Sequence, residues 1–197
     1  QSDSVTSFLP GSRKGEIIRL APIFLSVISR VLKKKPTMRF VIPFSGSESM
    51  HLIERYLNGC DTSVKNSIIL VDDSLVAMSA ADLVVLSSGT ATLEALLLRR
   101  PMIVCYRLAA LSFFIASRLV KIPFVALPNL LADREIVPEY IQGALSEDAL
   151  FLEIEKFYSA SGISSELLTV YENIHRSLRL GGSAQAAQAV ASLLTTD

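Results

Sequence analysis

The sequence predicts an α/β fold, a doubly wound and mostly parallel sheet of Rossmann-like type with helices at its C-terminal end. Two observations carry this. Continuously apolar runs such as Asp82–Leu86 and Pro101–Tyr106 alternate with helix-like segments along the first two thirds of the chain. Strands that are apolar on both faces belong in a parallel sheet covered on both sides, and right-handed crossovers then wind it in both directions. The second observation is a change of pattern beyond Pro138, where helical periodicity takes over. Residues 1–145 therefore read as one Rossmann-like domain. Residues 146–197 read as a helical segment that flanks it or crosses to a partner domain.

The elements follow in order. Val5–Leu9 is a strand, closed by the turn Pro10-Gly11-Ser12-Arg13. Gly15–Lys34 places Ile17, Leu20, Ile23, Phe24, Val27, Ile28 and Val31 on one helical stripe. Pro22 inside it marks a kink or a shifted start. Met38–Ile42 is a strand, Ser49–Leu57 a helix and Ser67–Val71 a strand. Asp72 or Asp73 then caps the next helix. Asp82–Leu86 is a strand ending at Ser87-Ser88-Gly89, Thr90–Leu98 a helix and Pro101–Tyr106 a strand. Ala109–Val120 reads as a helix, Phe124–Leu127 as a short strand, and Asn129–Ala132 as a turn or short helix. Ser146–Tyr158, Ser164–Leu180 and Ala184–Leu194 read as helices, broken at Gly162 and Gly181-Gly182.

Composition narrows the function classes. Nineteen basic and nineteen acidic side chains leave no net charge, so a nucleic-acid partner is not expected. Lys33-Lys34-Lys35 and Arg99-Arg100 suit solvated helix ends, where cations complement the macrodipole. Cys60 and Cys105 are too few for a disulfide framework, which fits a reducing, cytoplasmic setting. Two histidines, His51 and His175, give no metal cluster. No apolar run is long enough to span a bilayer, and no secretory signal pattern is present. The chain begins with Gln1 and enters a strand within a few residues, as expected of a fragment or a processed chain.

Ligands of open α/β sheets bind beyond the carboxyl ends of the strands, and three strand ends carry unusual residues. At the first, Gly11 and Ser12 leave the backbone approachable, and Arg13 offers a planar cation to phosphate oxygens. An ordinary turn with Ser12 as a cap is the alternative. At the second, Ser88, Gly89 and Thr90 precede a helix whose first N–H groups have no partner. Glu94 follows about one turn in, able to accept from a ribose diol. A capped helix with a surface glutamate is the alternative. At the third, Asn129 and Gln142 are polar groups in apolar company, suited either to a sugar's hydroxyls or to plain turn formation. Paired Asp72-Asp73 can hold a metal beside a diphosphate, although their place before a helix favours capping. A phosphate-binding loop ending in Gly-Lys-Ser/Thr, a Gly-x-Gly-x-x-Gly fingerprint and a Gly-x-Ser-x-Gly elbow are all missing from the sequence.

Taken together, Leu9-Pro10-Gly11-Ser12-Arg13 with Glu16-Ile17, Ser88-Gly89-Thr90-Ala91-Thr92-Leu93-Glu94, Arg100-Pro101-Met102-Ile103-Val104 with Tyr106, Leu127-Pro128-Asn129-Leu130-Leu131-Ala132 and Val137-Pro138-Glu139-Tyr140-Ile141-Gln142 resemble the lipid-A-disaccharide synthase family. That resemblance implies one half of a GT-B glycosyltransferase, the C-terminal half that binds the UDP-sugar. It also implies an inverting transfer of diacylglucosamine from UDP onto an acylated glucosamine 1-phosphate, forming a β-1,6 disaccharide of lipid A and releasing UDP. Ser12, Arg13, Ser88, Gly89, Thr90, Glu94, Asn129 and Gln142 are then the donor-binding residues, with no metal and no cofactor. The general base of the family lies in an N-terminal domain with no counterpart here, so no catalytic residue is assigned, and donor binding without turnover is expected. The acylated substrates imply work at the inner face of the bacterial inner membrane. Leu108–Ser117, flanked by Arg107, Arg118 and Lys121, suits an interfacial helix and equally a core helix with snorkelling arginines. Another GT-B transferase or a UDP-sugar epimerase shares the Ser-Gly-Thr…Glu element, and a non-catalytic nucleotide-sugar-binding module is the alternative outside enzymes.

Overall fold

The computed structural model describes residues 4–109, 123–160, 162–179, 188 and 190–192. Its strands are β1 (Val5–Leu9), β2 (Arg39–Pro43), β3 (Ile68–Val71), β4 (Leu83–Ser87), β5 (Met102–Tyr106) and β6 (Glu139–Ile141). They form one sheet in the order β3-β2-β1-β4-β5-β6, and every adjacent pair is parallel. The order reverses at β1 and β4, which is where a doubly wound sheet leaves a crevice. The helices are α1 (Lys14–Lys34), α2 (Gly46–Asn58), α3 (Thr62–Ser67), α4 (Ser74–Ser79), α5 (Thr90–Leu97), α6 (Leu127–Ala132), α7 (Glu147–Ser159) and α8 (Ser165–Leu178).

Side chains alternate across a strand, and that alternation divides the apolar runs between two cores. Phe8, Leu83, Val85, Ile103 and Cys105 join the inward face of α1 on one side. Leu9, Val84, Leu86, Met102 and Val104 join Ala95 and Leu96 of α5 on the other. Both faces of the central strands are thus buried, which is why β4 and β5 read as nearly unbroken apolar runs rather than alternating ones.

The two helices after residue 146 pack on opposite sides. Leu150, Phe151 and Ile154 of α7 enter the α1 core, and Tyr171 and Ile174 of α8 enter the α5 core. One ridge of α1 meets α7 through polar pairs four residues apart. Ser26 donates to Glu147, Arg30 pairs with Asp148 and Lys34 with Glu155, while Arg30 and Lys34 also lie over the Phe151 ring. Exposed ion pairs each contribute at most about 1 kcal/mol, so the buried side chains hold α7 and the pairs set its register.

The structure departs from the expected elements at several points. α1 runs unbroken from Lys14 through Pro22, so the helix start is not shifted. α3 and β6 were not expected. α3 is six residues long with Val64 as its buried apolar residue, and β6 is a three-residue strand led by Glu139. The short strand expected at Phe124–Leu127 does not form, because Glu139 takes the backbone N–H groups of Val125 and Ala126 that a ladder would need, and α6 begins at Leu127. The expected helices over Ala109–Val120 and Ala184–Leu194 fall largely outside the described residues, as does most of the Leu108–Ser117 segment. Among the described residues, no helix is long and apolar enough to cross a membrane.

Burial makes the fold sensitive to alkali. The Tyr158 phenol, packed beside Thr6, is pushed up to about 12, chiefly by burial. Tyr140 is pushed up to about 12 by burial and by its hydrogen bond to Glu153. Burial alone raises Tyr171. An unfolded phenol titrates near about 10, so above that pH the unfolded chain has released protons that the native chain keeps. Stability contributed by these phenols is intact below about pH 10 and is lost as pH rises toward the folded values. Tyr158 and Tyr171 should each lower stability by up to about 1.4 kcal/mol per pH unit in that window, and the more open Tyr140 by less. Urea unfolding between pH 9 and 12, with tyrosinate absorbance followed in parallel, checks this. Full ionisation of all phenols before unfolding would contradict it.

Candidate nucleotide-sugar site

A cavity of about 490 Å³ opens at the carboxyl ends of β1, β2, β3 and β4. Leu9, Pro43 and Ser87 end three of these strands inside it, so it occupies the crevice at the reversal of strand order. Six of the eight sequence-derived candidates line it, namely Ser12, Arg13, Ser88, Gly89, Thr90 and Glu94.

On one wall the β1–α1 turn carries Gly11, Ser12 and Arg13. Gly11 has φ +102, and a Cβ there would overlap the Glu16 carboxylate, so the turn needs glycine for both conformation and space. Arg13, not Ser12, is the N-cap residue of α1. Its backbone N–H donates to Glu16 Oε2 (3.4 Å) and its Nη1 to Glu16 Oε1 (3.1 Å). Arg13 is otherwise open to solvent, with 84% of its side chain exposed, so the guanidinium can reach a ligand.

The opposite wall is the start of α5. Gly89, its N-cap residue, sits at φ 154 and ψ −163, a region essentially confined to glycine. A glycine cap supplies no side-chain acceptor, and Gly89, Thr90 and Ala91 of the first turn line the cavity. That leaves backbone donors and the positive end of the helix facing it. Thr92 turns inward and donates its hydroxyl to Gly89 O, at 2.7 Å. Glu94, half-buried one turn along, borders the cavity.

Asn129 and Gln142 do not line the cavity, and both are engaged by backbone. Asn129 is fully buried. Its Nδ2 donates to Val137 O (2.9 Å) and Glu139 Oε1 (2.7 Å), and its Oδ1 accepts from Ile136 N (2.7 Å) and Val137 N (2.9 Å). An amide with both donors and its acceptor occupied has little left for a sugar. Gln142, at φ 51, accepts from Leu108 N at 2.9 Å. It thereby pins the chain just after β5. Of the eight expected donor-binding residues, these two are thus the ones that this structure places outside the cavity.

Asp73 caps α4 through Leu75 N (2.7 Å) and Val76 N (3.3 Å). Asp72 is the member of the pair that lines the cavity. Among the described residues no group of three or more His, Cys, Asp or Glu side chains is arranged to hold a metal ion. Cys105 lies fully buried in β5, where burial raises its thiol pKa.

The lipid-A-disaccharide synthetase family model matches residues 1–191. The chain belongs to this family. It is 43% identical over 190 residues to the lipid-A-disaccharide synthase of Pseudomonas putida, covering 96% of this chain and 49% of that protein. The chain thus spans about half the length of the curated relatives it matches. Among solved structures it resembles the ADP-heptose heptosyltransferase II of E. coli, with TM-score 0.57, 11% identity, and coverage of 79% of this chain and 47% of that one. It also resembles the C-terminal domain of a group 1 glycosyl transferase from Francisella tularensis, with TM-score 0.54, 16% identity, and coverage of 88% and 83%. At such low identity these two likenesses speak for the fold, one half of a GT-B glycosyltransferase.

The segments on which the family resemblance rests now separate by location. Pro10–Arg13 with Glu16, and Ser88–Ala91 with Glu94, line the cavity. Leu127–Ala132 and Val137–Gln142 are tied to each other beside it through Asn129 and Glu139. The two groups touch at Ser88, whose hydroxyl donates to Val125 O (3.0 Å), while Val125 N donates to Glu139 Oε2 (2.9 Å). Phe44, Ser45 and Ser74 also line the cavity and were not singled out as ligand-binding residues. The signal that could have found Phe44 and Ser45 is position, since they follow directly on β2 at the same end of the sheet.

Proposed function

We propose that this chain is the donor-binding half of an inverting glycosyltransferase. It would hold UDP-diacylglucosamine for transfer to an acylated glucosamine 1-phosphate, giving the β-1,6 disaccharide of lipid A and UDP. The observation that carries this is the convergence, on one crevice, of an exposed guanidinium, the start of a helix and a carboxylate one turn along. Negative charge grows on the diphosphate as the anomeric carbon is attacked. Arg13 and the α5 N–H groups stabilise that charge, and donors already in place for it contribute most. Glu94 accepts hydrogen bonds from the ribose diol. Residues 1–145 serve as the nucleotide-sugar domain, on which α7 and α8 of the helical segment pack. The acceptor and its general base come from the other half of the protein, which orients the hydroxyl and excludes water. In this reading the reaction takes place on the cytoplasmic side of a bacterial inner membrane, where its acylated substrates reside.

A thermal-shift titration in EDTA with UDP, and with ADP and CMP as controls, tests the reading. A ligand confined to the folded state adds RT ln(1 + [L]/Kd), about 2.7 kcal/mol at 100 Kd. For a chain of this size that raises Tm by about 5–11 °C. The shift should be selective for UDP and should fall in Arg13→Ala and Glu94→Ala. Equal shifts with all three nucleotides, or a UDP shift untouched by both substitutions, would defeat it.

A further inference from the structure

Three carboxylates, Glu16, Asp72 and Glu94, line the cavity together with one guanidinium, Arg13. That is an unfavourable balance for a site read as holding a diphosphate, because like charge close to an anion opposes its binding. Glu94 is accounted for by the ribose, and Asp72 is exposed beyond β3. Glu16 is neither. It is held against the phosphate-facing turn, its Oε1 3.1 Å from Arg13 Nη1 and its Oε2 3.4 Å from Arg13 N. Its carboxylate side chain is only 23% exposed, lying over Gly11 where any Cβ would overlap it. The guanidinium assigned to the diphosphate is therefore engaged by the protein's own anion.

We propose that Glu16 is a positioning residue for the diphosphate, holding Arg13 until the nucleotide enters and then yielding it to the phosphate oxygens. The proposal rests on the donor-site reading given above and adds to it a control on affinity. Two anions compete for one cation, so the fraction of molecules with Arg13 committed to Glu16 lowers the apparent affinity for the diphosphate. The same competition helps UDP to leave after transfer, a step that limits turnover in many enzymes. The pair is open to water, so the effect is moderate, about three- to tenfold. A carboxylate serving only to cap α1 would behave differently. Glutamine at the same position retains the bond to the N-cap N–H and removes the charge.

The decisive experiment is isothermal titration calorimetry of UDP and of uridine, in EDTA, with the wild-type chain, Glu16→Gln and Glu16→Asp. Glu16→Gln should bind UDP about three- to tenfold more tightly and uridine as the wild type does, since uridine lacks the phosphates. Glu16→Asp keeps the charge and should keep the wild-type ratio of UDP to uridine affinity within about twofold. Thermal melts of the empty variants verify that each is folded. Unchanged or weaker UDP binding by a folded Glu16→Gln overturns the proposal and leaves the donor site standing. Equal tightening toward UDP and uridine also overturns it, as a general reshaping of the cavity. Absence of UDP binding by the wild type removes the donor-site reading itself, and the proposal with it.

Discussion

Asn129→Ala is expected to lower the stability of the chain by about 3–5 kcal/mol, more than its polar character alone would suggest. Truncation removes four hydrogen bonds at once and leaves the N–H groups of Ile136 and Val137, the carbonyl of Val137 and part of the Glu139 carboxylate without their partner. Each buried group stranded in this way costs roughly 1–3 kcal/mol, and the sum is moderated by local relaxation. Asn129→Asp separates shape from chemistry. It keeps an acceptor for the two N–H groups but loses the amide donor, and it sets a second carboxylate beside Glu139. Two carboxylates so close cannot both ionise, so the pair holds a proton in the folded state above its unfolded pKa. Stability of Asn129→Asp should then be greatest at low pH and fall as pH rises through the folded value. Urea unfolding at pH 5 and pH 8 checks both variants. A loss below about 1 kcal/mol in Asn129→Ala, the size of one ordinary hydrogen bond, would show that the network is dispensable. The same variant should weaken UDP binding, because Glu139 fixes Val125, whose carbonyl receives Ser88 at the cavity rim.

Asn129 also shows where sequence reasoning runs out. An asparagine in apolar company must find partners, and that much is legible. Whether the partners are a ligand or the protein's own backbone depends on which segment lies across from it. Val137 and Glu139 face Asn129 only because β6 pairs with β5, and β6 has too short and too polar a sequence to be seen as a strand. The Phe124–Leu127 segment misled for a related reason. Its residues suit a strand, yet Glu139, more than ten residues away, claims the N–H groups that a strand would use. By contrast, β1 occupies the expected residues, and β2, β4 and β5 lie within a residue of expectation; for β4 and β5 burial on both faces writes a nearly unbroken apolar run. The cavity was legible to the same degree. Glycine and serine at the ends of β1 and β4 announce backbone kept open, and the strand order then brings those two ends together. The residues that follow β2 carry no such signature, so Phe44 emerged only from the fold, and for the Asp72-Asp73 pair only the fold told the cavity residue from the cap.

Phe8→Ala should have a comparable effect by another route. Phe8 is fully buried at the penultimate position of β1, with the rings of Phe24 and Phe40 at 5.1 and 6.0 Å between centroids. These three rings come from β1, α1 and β2, so one side chain joins the central strand to the helix above it and to the next strand. Removing it leaves a void that close-packed neighbours fill only in part, at a cost of about 3–5 kcal/mol. For a chain of this size Tm should drop by about 6–20 °C. Phe8→Leu, which retains most of the volume, should cost clearly less. The void would also reach the site, because Phe8 is followed by Leu9 and then the turn that presents Ser12 and Arg13. A slackened β1 end leaves the whole β1–α1 turn less well aligned with the start of α5, and loss of that alignment reduces binding as well as stability. UDP should therefore shift the Tm of Phe8→Ala by less than it shifts the wild type at the same concentration. If the two shifts are equal while the melting points differ, the core and the cavity are uncoupled, and the β1–α1 turn is held by its own hydrogen bonds alone.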